Sequence, residues 1–445
     1  MAEVMIAVMP FHGHVAPMAA VARAFVEAGH AVRVYTGSAH AQRFRAVGAE
    51  ALPWASAPDF DEHDLAATFP ELRGRKGPRQ MLANVEHVFV RTAAAQSDDL
   101  VRAFHERRWD VIVADGLSLG AHLASERTRT PWVTVSIVPL AIPSRDLPPP
   151  MFGLTPSTSA IGRLRDRALR AVARAGASGI QRAYAESRER LGLPAGDRAF
   201  DRAWYSPDLV CASGVPELEF ARSDLATHVV FVGDLTRPAR RDATDSAGAA
   251  LLTWWDDVAT SALPVVLVTQ GTQNVDPHDL LEPAFAALGR QRVLVVATTG
   301  RADDARLPFP APPNARVSGL VPYDALLPRV DVMITNGGWG GVLAALGAGI
   351  PLVVAGGDLD KPEVAARVAW SGAGVNLRSG RPSARAVLRG WRRVSTDAAY
   401  RANAARIAAR LAEHDGPTEV VEHTMRLLET GGSTAERAGS EPGGG

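Results

Sequence analysis

The chain has 445 residues, too many for one ordinary core, so two or three domains are expected. Its 47% hydrophobic and 22% charged side chains are those of a globular protein, and 48 basic residues balance 48 acidic ones. Zero net charge, with no basic run beyond "RGRKGPR" (73–79), argues against a nucleic-acid partner, and one cysteine, Cys211, leaves no intramolecular disulfide or multi-cysteine zinc site.

Along the chain, "MAEVMIAVMPFHG" lacks the charged start and long apolar core of a signal peptide. No uninterrupted apolar stretch of about 18 residues follows, so no membrane span is expected and a cytoplasmic location is. Short apolar runs then alternate with helix-period segments, the pattern of βαβ units. The first strands are "VMIAVM" (4–9), "AVRVYT" (31–36), "DVIVAD" (110–115) and "PWVTVS" (131–136). Helices are expected over 15–29, closed by Gly29, and over 118–128, closed before Pro131. Residues 139–160 carry too many prolines for regular structure and read as a long loop over a site, followed by an Arg-studded amphipathic helix over 161–192.

A second series reads "HVVFVG" (228–233), "PVVLVT" (264–269), "RVLVVATT" (292–299), "VDVMIT" (330–335) and "IPLVVAG" (350–356). The polar stretch 233–249 is the linker candidate, and 431–445 has the composition of a disordered tail. The expected division is 1–228 for an N-terminal acceptor-binding domain, 229–430 for a C-terminal donor-binding domain, and the tail. Strands this apolar require helices on both faces of the sheet. The fold class is α/β, two Rossmann-like doubly wound parallel-sheet domains facing each other across a cleft, with ligands at the carboxyl ends of the strands.

Glycine turns follow three strand ends of the second half: "TQGTQN" (269–274), "TTGRAD" (298–303) and "TNGGWGG" (335–341). A glycine turn opening a helix presents unsatisfied N–H groups and the positive end of the helix dipole, a site for phosphate. Gly271 and Thr272 belong to the first turn; Asn336, Gly337, Gly338, Trp339, Gly340 and Gly341 form the third. Asn336 either caps the helix or donates its amide to a phosphate oxygen. A dinucleotide fingerprint is incomplete, because Leu343 stands at the third glycine position.

The segment "SGLVPYDALLPRVDVMITNGGWGGVLAALGAGIPLVVAGGDLDKPEVAARV" (318–368) resembles the donor-binding signature of the family 1 nucleotide-sugar glycosyltransferases, whose fold is GT-B. "PFHGHVAPMAAVARAFVEAGHAVRVYT" (10–36) is similar to that family's G-H-x-x-P start, and "VIVADGLSLGAHLASERTRTPWV" (111–133) to its V-A-D segment. Within the family the likeness is to bacterial natural-product enzymes of the macrolide type. The resemblance implies a donor site of Gly271, Thr272, Leu320, Val321, residues 336–341, Asp360 and Lys361, with Asp360 on the sugar hydroxyls. It also places five departures: Asn336 for the usual His, Gly341 for Ser or Thr, Ala344 for Glu, Leu320 for an aromatic, and Lys361 for Gln.

Glycosyl transfer with inversion needs a base on the acceptor hydroxyl, and a histidine's ordinary pKa suits neutral pH. A lone histidine in a Gly-rich loop is more often structural, and His12 is such a bystander. The match at Gly13-His14-x-x-Pro17 favours His14 as base, with Asp115, at the end of "VIVAD", holding the other imidazole nitrogen. Phe11, Met151 and Phe152 are the candidate acceptor contacts, or side chains that simply pack their loops.

The expectation is an inverting, metal-independent transferase moving a sugar from a UDP- or TDP-sugar to a hydroxyl of a small hydrophobic acceptor, polyketide or polyphenol. It has no cofactor, and is a monomer or homodimer. The alternatives are a nucleotide-sugar epimerase of the same fold and a non-catalytic sugar-nucleotide-binding partner protein.

Overall fold

Strand β1 (Glu3–Ala7) shows how the chain is layered. Val4 and Ile6 enter one apolar cluster with helix α1 (His12–Glu27), while Met5 and Ala7 enter another on the opposite face. A strand buried on both sides forces helices onto both sides of its sheet. The same alternation recurs in β8 (Val265–Thr269), where Val265 and Leu267 face one cluster and Val266 and Val268 the other.

The computed structural model describes residues 1–445 except 76, 195–199, 237–251, 272–275, 302–304, 358 and 439–445. The described residues form two parallel sheets. The first joins β1, β2 (Ala31–Thr36), β3 (Glu50–Pro53), β4 (Val111–Asp115), β5 (Trp132–Ser136), β6 (Leu209–Ala212) and β7 (Val229–Phe231) in the order 3-2-1-4-5-6-7. The second joins β8, β9 (Leu294–Thr298), β10 (Ala315–Ser318), β11 (Val332–Thr335), β12 (Leu352–Val354) and β13 (Gly374–Asn376) in the order 10-9-8-11-12-13. Each order reverses direction once, between β1 and β4 and between β8 and β11, and at such a reversal neighbouring connections leave a crevice at the carboxyl ends. Among the described residues no helix is long and apolar enough to cross a membrane.

The helices that matter below are α2 (Leu119–Thr128), α3 (Ala160–Gly176), α4 (Ser178–Arg190), α5 (Trp339–Gly347), α6 (Lys361–Trp370) and α7 (Gly416–Ala438). Helix α1 begins three residues earlier than its periodicity suggests and ends, as expected, where Gly29 takes a φ of +81°. The amphipathic stretch 161–192 is two helices, α3 and α4, broken at Ala177.

Two segments that the expected division gives to the second domain pack on the first sheet instead. The run at 228–233 supplies β7, paired to β6, because Gly214 and Gly233 then exchange both backbone hydrogen bonds and close the sheet edge. Helix α7 returns to α1 and buries Val420 and Val421 in the first domain's core. It also runs through Ala438, into the stretch whose composition suggested disorder, while 439–445 lie outside the described residues. Most of the linker candidate, 237–249, lies outside them too.

Candidate active site

At the first reversal, β1 leads through Phe11 into α1, and His14 occupies the helix's first turn rather than a loop. Its Nδ1 lies 3.2 Å from Oδ1 of Asp115, the last residue of β4. The Asp115 carboxylate is fully enclosed and accepts the backbone N–H of Met9 at 2.6 Å and of Leu117 at 2.7 Å. Those two donors fix its orientation at the end of the strand. The His–Asp pair is close but not aligned, geometry that tightens in substrate complexes of general bases. With Nδ1 turned to the carboxylate, Nε2 is left as the acceptor of a proton. His12 lies about 200° around the helix from His14 and is exposed.

An aromatic wall stands beside the imidazole. The Phe11 ring centroid is 5.5 Å from that of His14, 5.1 Å from Phe60 and 5.8 Å from Phe89. Phe60 and Phe89 escaped residue-level reading of the sequence. Phe89 sits in a π-helical turn, Val85–Val90, an irregularity often found at functional sites and without a sequence signature of its own. Met151 and Phe152 are not brought to this wall by any described ring contact or hydrogen bond. Their neighbour Gly153 instead donates to Glu363 of α6, at 2.8 Å.

At the second reversal, Gly271 (φ +69°) follows β8 and Gly337 (φ +93°) follows β11. A Cβ on Gly337 would fall 2.8 Å from Val354 Cγ1, so only glycine fits the turn. Gly338 is the N-cap of α5 and gives the helix no side-chain cap; the space above Gly338 and Gly340 is open. The first-turn N–H groups of α5 are therefore available to an anion. Asn336 does not cap the helix. It is buried, its Nδ2 donates to the Gln270 carbonyl across the two strand ends, and its Oδ1 is buried without a partner.

The remaining donor candidates divide. Leu320 stands half exposed at the carboxyl end of β10, whereas Val321 is buried in the core with Trp339. The Trp339 side chain belongs to the domain seam: its Nε1 donates to Ser213 Oγ at 2.8 Å and its ring lies over Gly214. Gly341 lies near the Tyr323 hydroxyl. Asp360 is the N-cap residue of α6, half-buried, and Lys361, the first residue of that helix, is buried with its Cβ against Gly337 rather than in solvent. Thr272 lies outside the described residues. A cavity of about 230 Å³ opens between the loops after β8 and β9, lined by Gln270, Thr299, Arg301 and Arg306 among others. The two arginines were not foreseen, since Arg is spread throughout this chain and no motif singles them out.

The Trp339–Ser213 contact joins the carboxyl ends of β11 and β6, and the two Rossmann-like sheets have the GT-B fold. Residues 286–427 match the model of the erythromycin biosynthesis protein CIII-like C-terminal domain. The chain is 41% identical to 4'-demethylrebeccamycin synthase of Lentzea aerocolonigenes, over 95% of this chain and 98% of that one. It is 31% identical to UDP-glucosyltransferase A1 of Starmerella bombicola, over 84% and 81%. The solved glycosyltransferase VinC in complex with DTDP superposes with a TM-score of 0.64 at 20% identity, covering 96% of this chain and 100% of that one. The chain belongs to the family 1 nucleotide-sugar glycosyltransferases, in their bacterial natural-product branch.

Proposed function

We propose that this glycosyltransferase moves a sugar, with inversion and without a metal, from a UDP- or TDP-sugar to a hydroxyl of a small apolar natural product. The observation that carries the reading is the placement of His14–Asp115 at one strand-order reversal and the α5 turn at the other, with Trp339 of α5 bonded to Ser213 at the end of a first-sheet strand. His14 Nε2 takes the acceptor's hydroxyl proton as that oxygen bonds to the anomeric carbon. The bond from that carbon to the diphosphate oxygen breaks on the opposite face, so one displacement inverts the centre. Asp115 steadies the imidazolium, and the N-terminus of α5 receives the charge of the departing diphosphate.

Asp360 reaches the sugar's hydroxyls, and Lys361 lies behind the phosphate turn. The Phe11–Phe60–Phe89 wall supports an apolar acceptor, and Met151 and Phe152 are further acceptor contacts in this reading. The TDP-bound neighbour and the UDP-glucosyltransferase relative support the two nucleotides.

A thermal-shift panel tests the donor site: UDP or TDP raises Tm in proportion to occupancy, and a response to NAD alone would overturn the reading. With transfer assayed, EDTA leaves initial rates within about twofold. Strict dependence on added magnesium, or retention at the anomeric centre by NMR, contradicts the chemistry.

A further inference from the structure

Helix α6 starts beside the phosphate turn and, one turn on, is fastened to the other domain. Arg367, only 2% exposed, is the fastener. Its guanidinium meets Glu363 Oε2 at 2.8 Å and Glu219 Oε1 at 2.9 Å, donates to the Leu140 carbonyl at 3.0 Å, and lies 4.6 Å over the Phe220 ring. Glu219 also pairs with Arg222, at 3.2 Å, whose other nitrogen donates to the Ile142 carbonyl. Glu363 accepts the Gly153 N–H. Two arginines and two glutamates thus close a buried, neutral network that grips residues 140–153 at both ends.

The grip sets the loop's shape. Gly153 takes a φ of +61°, and a Cβ there would fall 2.7 Å from Pro362 Cβ. Met151, two residues before, also takes a left-handed φ of +73°, costly for a residue with a Cβ, and between them Phe152 projects 42% exposed. A buried ionic network is weak as a source of stability, because desolvating the charges offsets their attraction. What it provides is a fixed geometry between the parts it joins.

We propose that Arg367 is a positioning residue that registers the acceptor-side segment 140–153 on the helix whose first residues address the donor sugar. The proposal rests on the function assigned above. A loop tied to α6 presents Met151 and Phe152 to the acceptor only in register with Asp360, so the attacking oxygen meets the anomeric carbon at the right distance. Water, which needs no such placement, attacks the same carbon without the loop: its oxygen bonds there, the bond to the diphosphate breaks, and its proton passes to the base.

The test compares transfer with donor hydrolysis in Arg367→Met, Arg367→Lys and Gly153→Ala. Arg367→Met and Gly153→Ala are expected to lower transfer turnover roughly tenfold or more, the cost of misplaced reactants. Affinity for the nucleoside diphosphate stays within about twofold, and hydrolysis is maintained or increased. Arg367→Lys, which keeps the charge but not the fork, recovers only part of the transfer rate. Gly153→Ala leaves every charge in place and carries the test if the Arg367 variants do not fold. Transfer and hydrolysis falling in equal proportion, or an unchanged ratio between them, overturns the positioning role alone. A wild-type chain that neither transfers nor hydrolyses any nucleotide sugar overturns the assigned function as well.

Discussion

Asp115 is held by the polypeptide before it meets His14. Both its oxygens accept backbone N–H groups, so the carboxylate cannot turn away from the imidazole without leaving buried donors unmet. This gives the two residues distinguishable signatures. His14→Ala is expected to reduce turnover by roughly 10²-fold or more, the scale of a lost general base, with nucleoside-diphosphate affinity unchanged. Asp115→Asn offers one acceptor where two donors wait, so it should lower Tm as well as turnover, at about 1–3 kcal/mol for the unsatisfied group. Because the two act on one proton transfer, the double variant should turn over no more slowly than the poorer single one. Steady-state kinetics with melting curves check all three; a His14→Ala enzyme of near-wild-type turnover removes it as the base.

Helix α6 works as an element with two ends. Its start sets Lys361 against Gly337, and Glu363 and Arg367 further along hold Gly153 and Glu219 of the first domain. Asp360→Ala is expected to impair use of the whole nucleotide sugar far more than binding of the bare diphosphate, seen by comparing KM with the diphosphate's inhibition constant. Lys361→Gln should reorder the donor sugars by about 1.5–3 kcal/mol, the worth of a hydrogen bond to a charged group. Identical donor rankings would assign its buried ammonium to structure alone. The sequence does not disclose the double duty of this helix, since Glu219, Glu363 and Arg367 are ordinary charged residues until the fold brings them together. Long apolar strands such as β2 and β8 were legible. β3, β6, β10 and β13 were not, because each holds at most one β-branched residue, whereas the equally short β7, β11 and β12 hold two or more.

At the scale of the molecule, the doubly wound architecture followed from strands too apolar to face water, and the glycine turns and the His–Asp pair do lie at strand ends. What composition could not convey was which sheet a given segment joins. β7 and α7 read like any strand and helix of the second half, yet their apolar faces are satisfied only on the first.

The path of α7 has a consequence for recombination. The polypeptide leaves the first domain after β7 and comes back to it at α7, so the half to which we assign donor binding in our proposal is topologically an insert rather than a tail. A hybrid made by a single crossover near residue 228 would pair one parent's β1–β6 with another's β7 and α7, placing foreign side chains in the apolar cluster that α1 shares with Val420 and Val421. A hybrid with two crossovers, after Phe231 and before Gly416, would exchange the donor half and keep the acceptor half's own edge and cover. The two-crossover hybrid should stay soluble with a Tm close to the acceptor parent's, and the single-crossover one should lose yield and melt earlier. Equal melting of the two hybrids would show that the returning helix is interchangeable. On the proposed function, exchange of sugar specificity is a cassette exchange, made through two joints that must be cut together.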